Sequence, residues 1–313
     1  MKTVYFVVPC YNEQEVLPET SKRLLAKLEA LIENCKISHD SRIVFVDDGS
    51  RDDTYKIISE LHAQDERFCG IKLSRNRGHQ NALLAGLMTV KDKCDAAISL
   101  DADLQDDINV IDEFIDKFSE GCDVVYGVRS SRATDTAFKR TTALMFYKLM
   151  LFLGVEMVYN HADYRLMSSR ALNALSDFRE VNLFLRGIVP LVGFKSATVS
   201  YERHERFAGE SKYPFKKMLA FAIDGITSFS VKPIRMVFSI GVLIFLCSIA
   251  VLIYSLIRWA LGHTVTGWTT LIISIWALGG IQLLSLGLVG EYIGKIYKEV
   301  KARPKFIIDE TLF

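Results

Sequence analysis

The stretch AAISLDADLQDD, residues 96–107, joins a short apolar run to four aspartates. The run at 96–100 is almost continuously apolar, which is typical of a strand buried on both faces of a sheet. Aspartates at this spacing repel one another unless they are solvated, protonated or neutralised by a cation. The stretch therefore predicts a buried strand that ends in a cation-binding loop.

Strand-like and helix-like segments alternate on both sides of this stretch. Runs of β-branched and aromatic residues predict strands at 3–9, 41–48, 68–74 and 123–129. Apolar residues at helical spacing predict helices at 15–35 and 52–64. This alternation over residues 1–210 predicts an α/β fold with a doubly wound sheet, in which the strands at 3–9 and 41–48 run parallel and ligands bind at the carboxyl ends of the strands.

The predicted strand ends carry polar residues in place of glycine-rich phosphate loops. They read PCYNE at 9–13, DDGS at 47–50 and DAD at 101–103, and neither G-x-G-x-x-G nor G-x-x-x-x-G-K-[ST] occurs. Because carboxylates repel phosphate, a divalent metal would have to bridge them to a phosphorylated substrate. Hard oxygen ligands favour Mg2+ or Mn2+.

Three oxygen-bearing side chains alternate along the DADLQ segment. If this segment is extended, Asp101, Asp103 and Gln105 point to the same side, where they can act as metal ligands. The next two acids, Asp106 and Asp107, precede a helix-like segment. We expect them to be its N-cap and first-turn acids rather than metal ligands.

Two long segments without charged residues follow the α/β region, at 236–257 and 268–290. Each has the ~20 apolar residues that span a bilayer, so we predict a transmembrane hairpin. Lys and Arg are more frequent on the two outer flanks than in the connecting loop, which predicts that both termini are cytoplasmic. The G-x-x-x-G at 290–294 would allow a homo-oligomer, although it more often reflects ordinary helix packing.

The sequence thus divides into four predicted parts. A cytosolic α/β domain at 1–210 is followed by a juxtamembrane amphipathic segment at 211–235, the hairpin at 236–290 and a cytosolic basic tail at 291–313. Basic and aromatic residues at helical spacing in the juxtamembrane segment fit either a helix in the membrane interface or a core-facing amphipathic helix.

Composition argues against some classes of function. The sequence has 38 Lys and Arg against 37 Asp and Glu, so its charge gives no reason to expect a nucleic-acid partner. Its six cysteines form no C-x-x-C pair and no metal-ligand spacing, which predicts reduced thiols in the cytosol.

Four segments together resemble the family-2 glycosyltransferases with the GT-A fold. They are VVPCYNE, FVDDGSRDDT, LSRNRGHQNALLAGL and LDADLQDD. The two apolar segments, with DYRLMSS and ERFAGESKY, narrow the resemblance to the polyisoprenyl-phosphate glycosyltransferases, which include the bactoprenol glucosyltransferases and dolichol-phosphate mannose synthase. This chain has Asp106-Asp107 where relatives often have a proline pair, which predicts a less rigid metal loop or an altered metal preference.

The resemblance implies roles for individual residues. The residues that would bind the nucleotide sugar are Pro9, Tyr11, Glu13, Asp48, Asp101, Arg206 and Lys212. Among them, Asp48 would recognise the base. The metal would be held by Asp101, Asp103 and Gln105, and the acceptor phosphate by Arg129, Arg140, Arg165 and Ser211. Catalytic roles would belong to Asp103, Asp163 and Arg186, with Asp163 either a base or an orienting group. We expect His79 to be a helix-start residue rather than a catalytic base.

The implied reaction is an inverting, metal-dependent transfer of a sugar from a nucleotide sugar to a polyprenyl phosphate. UDP-glucose and undecaprenyl phosphate are the expected substrates, at the cytosolic face of the inner cell membrane, with the product used to modify a cell-surface glycan such as O-antigen. The acceptor is a phosphate monoester with a second pKa of ~6, so it is already a nucleophile and needs no strong base.

Two other functions fit parts of the sequence. One is a membrane-anchored protein that binds nucleotide sugars without turnover, which would not need acceptor arginines. The other is a polysaccharide synthase without a lipid-phosphate acceptor, which would require a Gln-x-x-Arg-Trp motif. All three tryptophans, at 259, 268 and 276, lie in or beside the apolar segments, and therefore the Gln-x-x-Arg-Trp motif is absent.

Overall fold

The α/β region is built on one mixed sheet. The computed structural model describes residues 1–130, 161–181, 184–202, 232–261 and 267–313. The strands in this part of the chain are β1 (Val4–Cys10), β2 (Arg42–Asp47), β3 (Phe68–Leu73), β4 (Ala96–Ser99), β5 (Val124–Arg129), β6 (His161–Ser168), β7 (Ser196–Tyr201) and β8 (Ile308–Leu312). Their order across the sheet is β7–β5–β6–β4–β1–β2–β3–β8. β6 and β8 are antiparallel to their neighbours, and the others run parallel.

Helices connect most of the strands. They are α1 (Leu17–Glu33), α2 (Thr54–Gln64), α3 (His79–Val90), α4 (Ile111–Ser119), α5 (Ser169–Ser176), α6 (Leu185–Leu191), α7 (Lys232–Ala260) and α8 (Trp268–Lys301), with a short 3-10 helix at Ile108–Val110 before α4. The α/β prediction is therefore confirmed, and the five predicted strands and the predicted helices at 15–35 and 52–64 all form within a few residues of their expected bounds.

Burial explains why these segments form these elements. All seven residues of β1 are buried, as expected for a central strand covered on both faces. α1 buries Leu17, Leu24, Leu28 and Leu31, which share one face of a helix. α3 packs closely on the sheet because Gly86 has no side chain. A Cβ there would overlap Val7 Cγ1 and would lie 2.7 Å from Val46 Cγ2.

The sheet is mixed, because β6 lies antiparallel between β4 and β5, whereas β1 and β2 are parallel as predicted. Its sequence does not read as a buried strand, since it contains Asp163 and Arg165. Both residues are nevertheless buried, at 6% and 1% exposure, and they bond to each other. Pairing the two charges allows this segment to occupy the interior of the sheet.

Part of the predicted basic tail at 291–313 belongs to a helix and to the sheet. α8 continues to Lys301, and β8 then pairs with β3 at the edge of the sheet. β8 was not predicted because three of its five residues, Asp309, Glu310 and Thr311, are exposed. It joins the sheet through backbone pairing, which an apolar pattern does not reveal.

The chain divides into two compact units, and the boundaries differ from the predicted ones. The α/β unit comprises Met1–Tyr147, Glu156–Pro214 and Arg303–Phe313, and the other unit comprises Lys148–Val155 and Phe215–Ala302. In the second unit, within the described residues, one candidate membrane span is found, Lys232–Val251, with a mean hydropathy of 2.4 and no buried residues. The second predicted span, 268–290, lies in the 34-residue helix α8. The prediction of two transmembrane helices is thus not confirmed and stays a prediction.

Candidate functional site

The loops after β1 and β2 are joined by hydrogen bonds at the carboxyl edge of the sheet. The Asn12 amide donates to Ser50 Oγ, and the Arg51 amide donates to Asn12 Oδ1, both at 2.9 Å. The Glu13 amide donates to Thr54 Oγ1, also at 2.9 Å. The two loops therefore form one framework, on which the Tyr11 side chain is 40% exposed.

Asp48 connects a third loop to this framework. Its Oδ1 accepts from the Arg77 amide at 2.7 Å and its Oδ2 from the Gly78 amide at 2.8 Å. Burial raises the pKa of Asp48, and these two hydrogen bonds oppose the rise. The neighbouring Gly49 has φ +67°, and a Cβ there would lie 2.7 Å from Arg75 backbone carbon. Asp48 thus fixes the chain ahead of α3, and its role in reading the base stays a prediction.

Pro9 and Glu13 stand at the end of β1 and in the loop beyond it. Pro9 is buried within β1, opposite Val46 of β2, so it does not end the strand. Glu13 accepts backbone bonds from Val16 and Leu17 at the start of α1. Both residues lie at the edge where the three loops meet, and nucleotide binding by them stays a prediction.

The segment with Asp101 and Asp103 is a turn, so the predicted extended row is wrong. β4 ends at Ser99, and Leu104 has a positive φ of 56°. Asp103 is buried, and its Oδ1 accepts from the Gln105 amide at 3.2 Å. The turn is held to α1 by Thr20 Oγ1, which donates to the Ala102 carbonyl at 2.7 Å. The directions of the Asp101 and Asp103 side chains therefore depend on the turn, with its positive φ at Leu104 and its hydrogen bond to α1, and not on the alternation of side chains along a strand.

Asp101 faces His79, the first residue of α3. Its Oδ1 lies 3.4 Å from His79 Nε2, and its side chain is 37% exposed. Burial raises the pKa of Asp101, His79 opposes the rise, and the carboxylates of Asp163 and Asp103 add to it. His79 starts a helix, as predicted, and it also lies against the acidic loop, which the sequence did not indicate.

The acidic loop fits a divalent cation that is bound partly by the protein and partly by a substrate. Asp101 and Asp103 supply hard oxygens. Burial is the main cause of the raised pKa of Asp101, and a cation would relieve the repulsion from Asp163 and Asp103 that adds to it. No three His, Cys, Asp or Glu side chains among the described residues form a complete metal cage. The remaining ligands would therefore come from Gln105, from water or from a diphosphate.

Asp163 is bonded to two arginines. Its Oδ1 accepts from Arg165 Nη2 at 2.6 Å, and its Oδ2 accepts from Arg186 Nη2 at 3.1 Å. Burial would raise the pKa of Asp163, but Arg186, Arg165 and His79 outweigh it and hold the pKa below the usual range. A carboxylate in this environment stays ionised and is a poor general base. The geometry thus supports the orienting role over the base.

The two arginines differ in exposure. Arg165 is 1% exposed, and its Nη1 donates to the Leu185 carbonyl at 3.4 Å. Arg186, in α6, keeps a third of its side chain exposed. The start of α6 is fixed by Gln80 of α3, whose Oε1 accepts from the Leu185 amide at 3.2 Å. Arg186 is therefore placed to meet a ligand, and Arg165 to hold Asp163.

A second cluster joins Arg129, Asp106 and Tyr201. Tyr201 Oη donates to Asp106 Oδ1 at 2.6 Å and accepts from Arg129 Nε at 3.3 Å. Burial raises the pKa of Asp106 to about 6, helped by Asp101. The expectation that Asp106 is a helix-start acid is wrong, whereas Asp107 does cap the 3-10 helix by accepting from the Asn109 amide at 2.9 Å.

The structure thus brings most predicted site residues to one edge of the sheet. Arg140, Arg206, Ser211 and Lys212 lie outside the described residues, as does the juxtamembrane segment up to 231. Sequence reasoning missed Tyr201 and Gln80. Tyr201 belongs to the site because it ends β7 opposite Arg129. This pairing is a property of the folded sheet, so the sequence contains no signal for it.

Two family profiles match the chain. Residues 5–176 match Glycosyl transferase family 2, and residues 232–296 match the GtrB C-terminal hairpin. An uncharacterized glycosyltransferase of Bacillus subtilis, YkoT, is 57% identical over 98% of this chain and 91% of its own length. The bactoprenol glucosyl transferase of Shigella phage SfII is 40% identical over 98% of each chain. Among solved structures, mannosyl-3-phosphoglycerate synthase from Rubrobacter xylanophilus gives a TM-score of 0.48 at 15% identity, covering 71% of each chain.

Proposed function

Because the chain belongs to glycosyl transferase family 2 and is a glycosyltransferase, we propose that it transfers glucose from UDP-glucose to a membrane polyprenyl phosphate. The observation that carries the proposal is the proximity of an acidic loop to arginines at one sheet edge. Asp101 and Asp103 suit a metal-bound diphosphate, whereas Arg186 and Arg129 suit a second phosphate. The name of the phage relative supports glucose and bactoprenol as donor sugar and acceptor.

The donor would bind across the three joined loops. Tyr11 offers an exposed ring beside the framework that Asp48 stabilises. Asp101, Asp103 and Gln105 would hold Mg2+ or Mn2+, which when bound neutralises the diphosphate and stabilises its departure. His79 would lie beside the diphosphate end, because its Nε2 is 3.4 Å from Asp101.

The acceptor would meet the donor beside Asp163. The dianionic phosphate oxygen forms a bond to the anomeric carbon while the bond to the diphosphate breaks, so UDP leaves and the configuration inverts. No proton has to be removed, and this agrees with the lowered pKa of Asp163. Asp163 would orient Arg186 towards the reacting phosphates. We reassign Arg165 from acceptor contact to support of Asp163, because Arg165 is only 1% exposed.

The catalytic unit would sit at the cytosolic face of the membrane. β8 pairs with β3, so residues 308–312 lie in the same compartment as the rest of the sheet. The intervening chain therefore crosses a membrane an even number of times. A hairpin of two spans satisfies this condition. The match of residues 232–296 to the GtrB C-terminal hairpin supports such an arrangement. Lys295, Lys298 and Lys301 near its end favour the cytosolic side.

The test uses the purified full chain with undecaprenyl phosphate in vesicles and a panel of labelled nucleotide sugars. We expect label from UDP-glucose in a lipid-extractable product that mild acid cleaves, with β configuration. Transfer from a different nucleotide sugar would overturn the donor assignment. A water-soluble polymer would indicate a polysaccharide synthase, and stoichiometric binding without turnover would indicate a binding protein.

A further inference from the structure

Tyr201 and Arg129 end two neighbouring parallel strands at the same level. The register of β5 and β7 pairs these two residues directly. The pairing continues one residue further, because the Ser130 amide donates to the Tyr201 carbonyl at 2.9 Å. The backbone on both sides of the two residues is therefore fixed, and their side chains start from neighbouring positions on the site edge.

The Tyr201 hydroxyl connects Arg129 to Asp106 through a chain of two hydrogen bonds. Arg129 Nε donates to Tyr201 Oη at 3.3 Å, and Oη donates onward to Asp106 Oδ1 at 2.6 Å. Arg129 Nη2 lies 3.7 Å from the same Asp106 oxygen, beyond hydrogen-bond distance. The hydroxyl therefore acts at once as acceptor and donor. The bond at Nε, with Asp106 close to Nη2, restricts the orientation of the guanidinium and hence the directions in which its Nη groups point.

Asp106 supplies negative charge in a buried setting. The residue is 6% exposed, and its Oδ2 is buried without a hydrogen-bond partner among the described residues. A buried carboxylate with one of its oxygens unpaired is costly to stability. Such a cost is commonly retained where the group serves a site. Here the carboxylate faces a guanidinium whose side chain is 25% exposed, so the positive charge remains accessible at the edge of the cluster.

The Tyr201 ring is held rigidly. The Tyr164 ring meets it edge-on with centroids 5.3 Å apart. Gly127 makes room for it, because a Cβ at that position would lie 3.1 Å from Tyr201 Cε1 and 2.9 Å from the Tyr164 carbonyl oxygen. A rigid ring places its hydroxyl at a defined point, which a freely rotating side chain would not do.

We propose that Tyr201, together with Asp106, is a positioning residue that aims the Arg129 guanidinium at the phosphate monoester of the lipid acceptor. This inference rests on the proposed function and adds a residue to it. Tyr201 acts through Arg129 and does not itself touch the substrate. Without the hydroxyl, Arg129 keeps its charge but loses the hydrogen bond that holds its Nε.

The test compares Tyr201→Phe with Tyr164→Phe in the full chain, with UDP-glucose and undecaprenyl phosphate as substrates. Both variants lose one buried hydroxyl from the same aromatic pair, but the Tyr164 hydroxyl donates to the Asp107 carbonyl, at 3.0 Å, and not to the arginine cluster. We expect Tyr201→Phe to raise KM for undecaprenyl phosphate about tenfold, the size of one lost hydrogen bond to a charged group, with KM for UDP-glucose within about twofold of wild type. Tyr164→Phe should leave both KM values within about twofold.

A double-mutant cycle separates positioning from a purely structural role. In an Arg129→Ala background, the expected effect of Tyr201→Phe on the acceptor KM disappears, because the group on which it acts is gone. An undiminished effect in that background would overturn the proposal, as would equal changes in the two KM values or equal effects of the two Tyr→Phe variants. If the wild-type chain does not glucosylate undecaprenyl phosphate at all, the proposed function fails. If wild type is active and Tyr201→Phe matches it, only the positioning role fails.

Discussion

Neighbouring aspartates in this site have different environments, and those environments separate their roles. Asp101 lies beside other carboxylates in a partly exposed loop, and burial raises its pKa. Asp163 lies between two guanidinium groups that hold its pKa below the usual range. The environment of Asp101 suits a carboxylate that binds a cation, and the environment of Asp163 suits a permanently ionised partner of the arginines. Chemically identical side chains are thus suited to different roles, one to binding a cation and the other to pairing with two arginines.

The metal assignment predicts that Asp101→Asn and Asp103→Asn each reduce glucosyl transfer by about 100-fold or more, since each removes a charged oxygen ligand. Excess EDTA should abolish wild-type activity, and added Mg2+ or Mn2+ should restore it. Asp107→Asn is the matched control, because Asp107 caps the 3-10 helix in the same loop. Full activity of the Asp103 variant, or activity in EDTA, would contradict the assignment.

The orienting role predicts that Asp163→Asn lowers the thermal midpoint and nearly abolishes activity. Removing the charge leaves Arg165 buried without its partner, which costs about 3–5 kcal/mol. Because the folded-state pKa of Asp163 is lowered, its stabilisation is fully present above the unfolded pKa of ~3.9 and is lost as pH falls further. The difference in midpoint from wild type should therefore stay constant above about pH 5 and shrink below about pH 4.

Asp123→Asn provides the comparison for this variant. Asp123 lies 3.6 Å from Arg170, whose side chain is 70% exposed, so losing this ion pair should cost at most about 1 kcal/mol. A shrinking difference for Asp163→Asn already near neutral pH would mean that Asp163 titrates there and would favour the base.

At the scale of elements, the site depends on how closely loops from different strands pack. Gly49, in the loop after β2, lies against the backbone of Arg75 and Asn76. Asp48 then bonds the same loop to the start of α3. These contacts join three separate strand–helix connections into one framework, on which the nucleotide is proposed to bind.

Gly49→Ala should disturb this framework more than Gly78→Ala. Both glycines have positive φ, +67° and +87°, but a Cβ at Gly78 has nothing within 4 Å, whereas one at Gly49 meets backbone at 2.7 Å. Because the φ of 87° and ψ of 152° at Gly78 suit essentially only glycine, we expect Gly78→Ala to cost about 1–3 kcal/mol of strain. Gly49→Ala should cost more, because the backbone clash adds to its strain, and it should weaken UDP-glucose binding. Thermal midpoints and calorimetric titration of the donor measure both effects. Equal effects would show that backbone strain alone matters.

β8 predicts a second contrast along one strand. Leu312 faces the sheet, since its Cδ1 lies 3.2 Å from the position of a Cβ on Gly70, whereas Thr311 is exposed. Leu312→Asp should therefore lower the thermal midpoint by placing a charge against the sheet, and Thr311→Asp should change it little. Comparable losses for the two variants would contradict the pairing of β8 with β3.

At the scale of the whole molecule, the sheet restricts the membrane topology. Strands from both ends of the sequence, β1 and β8, belong to one sheet, so a membrane crossing between them requires a return. Under the positive-inside rule, the basic residues that follow 290 predict that the shared side is cytoplasmic. The acceptor argument requires the same side, because a polyprenyl chain stays in the bilayer while nucleotide sugars are cytosolic.

This topology predicts that a thiol placed between the two apolar segments is external. Thr264→Cys should react with a membrane-impermeant thiol reagent on intact cells, whereas a tag fused after Phe313 should be digested by protease only after the cells are opened. Cys35, which is exposed on the α/β unit, serves as the internal control and should stay unlabelled on intact cells. External digestion of the tag with no reaction at residue 264 would reverse the orientation.

The sequence by itself determined the α/β class, five strands, the acidic loop and the family, because buried apolar runs and short motifs are local properties. It did not reveal β6, β7 and β8, since their strand character depends on partners distant in sequence. Asp163 and Arg165 can occupy a central strand only because each neutralises the other. In the same way, Asp106 became part of the site only through Tyr201, 95 residues away. Strand register and burial of charge are tertiary properties, and they decided which acids remain available for a cation and which are held by arginine or tyrosine.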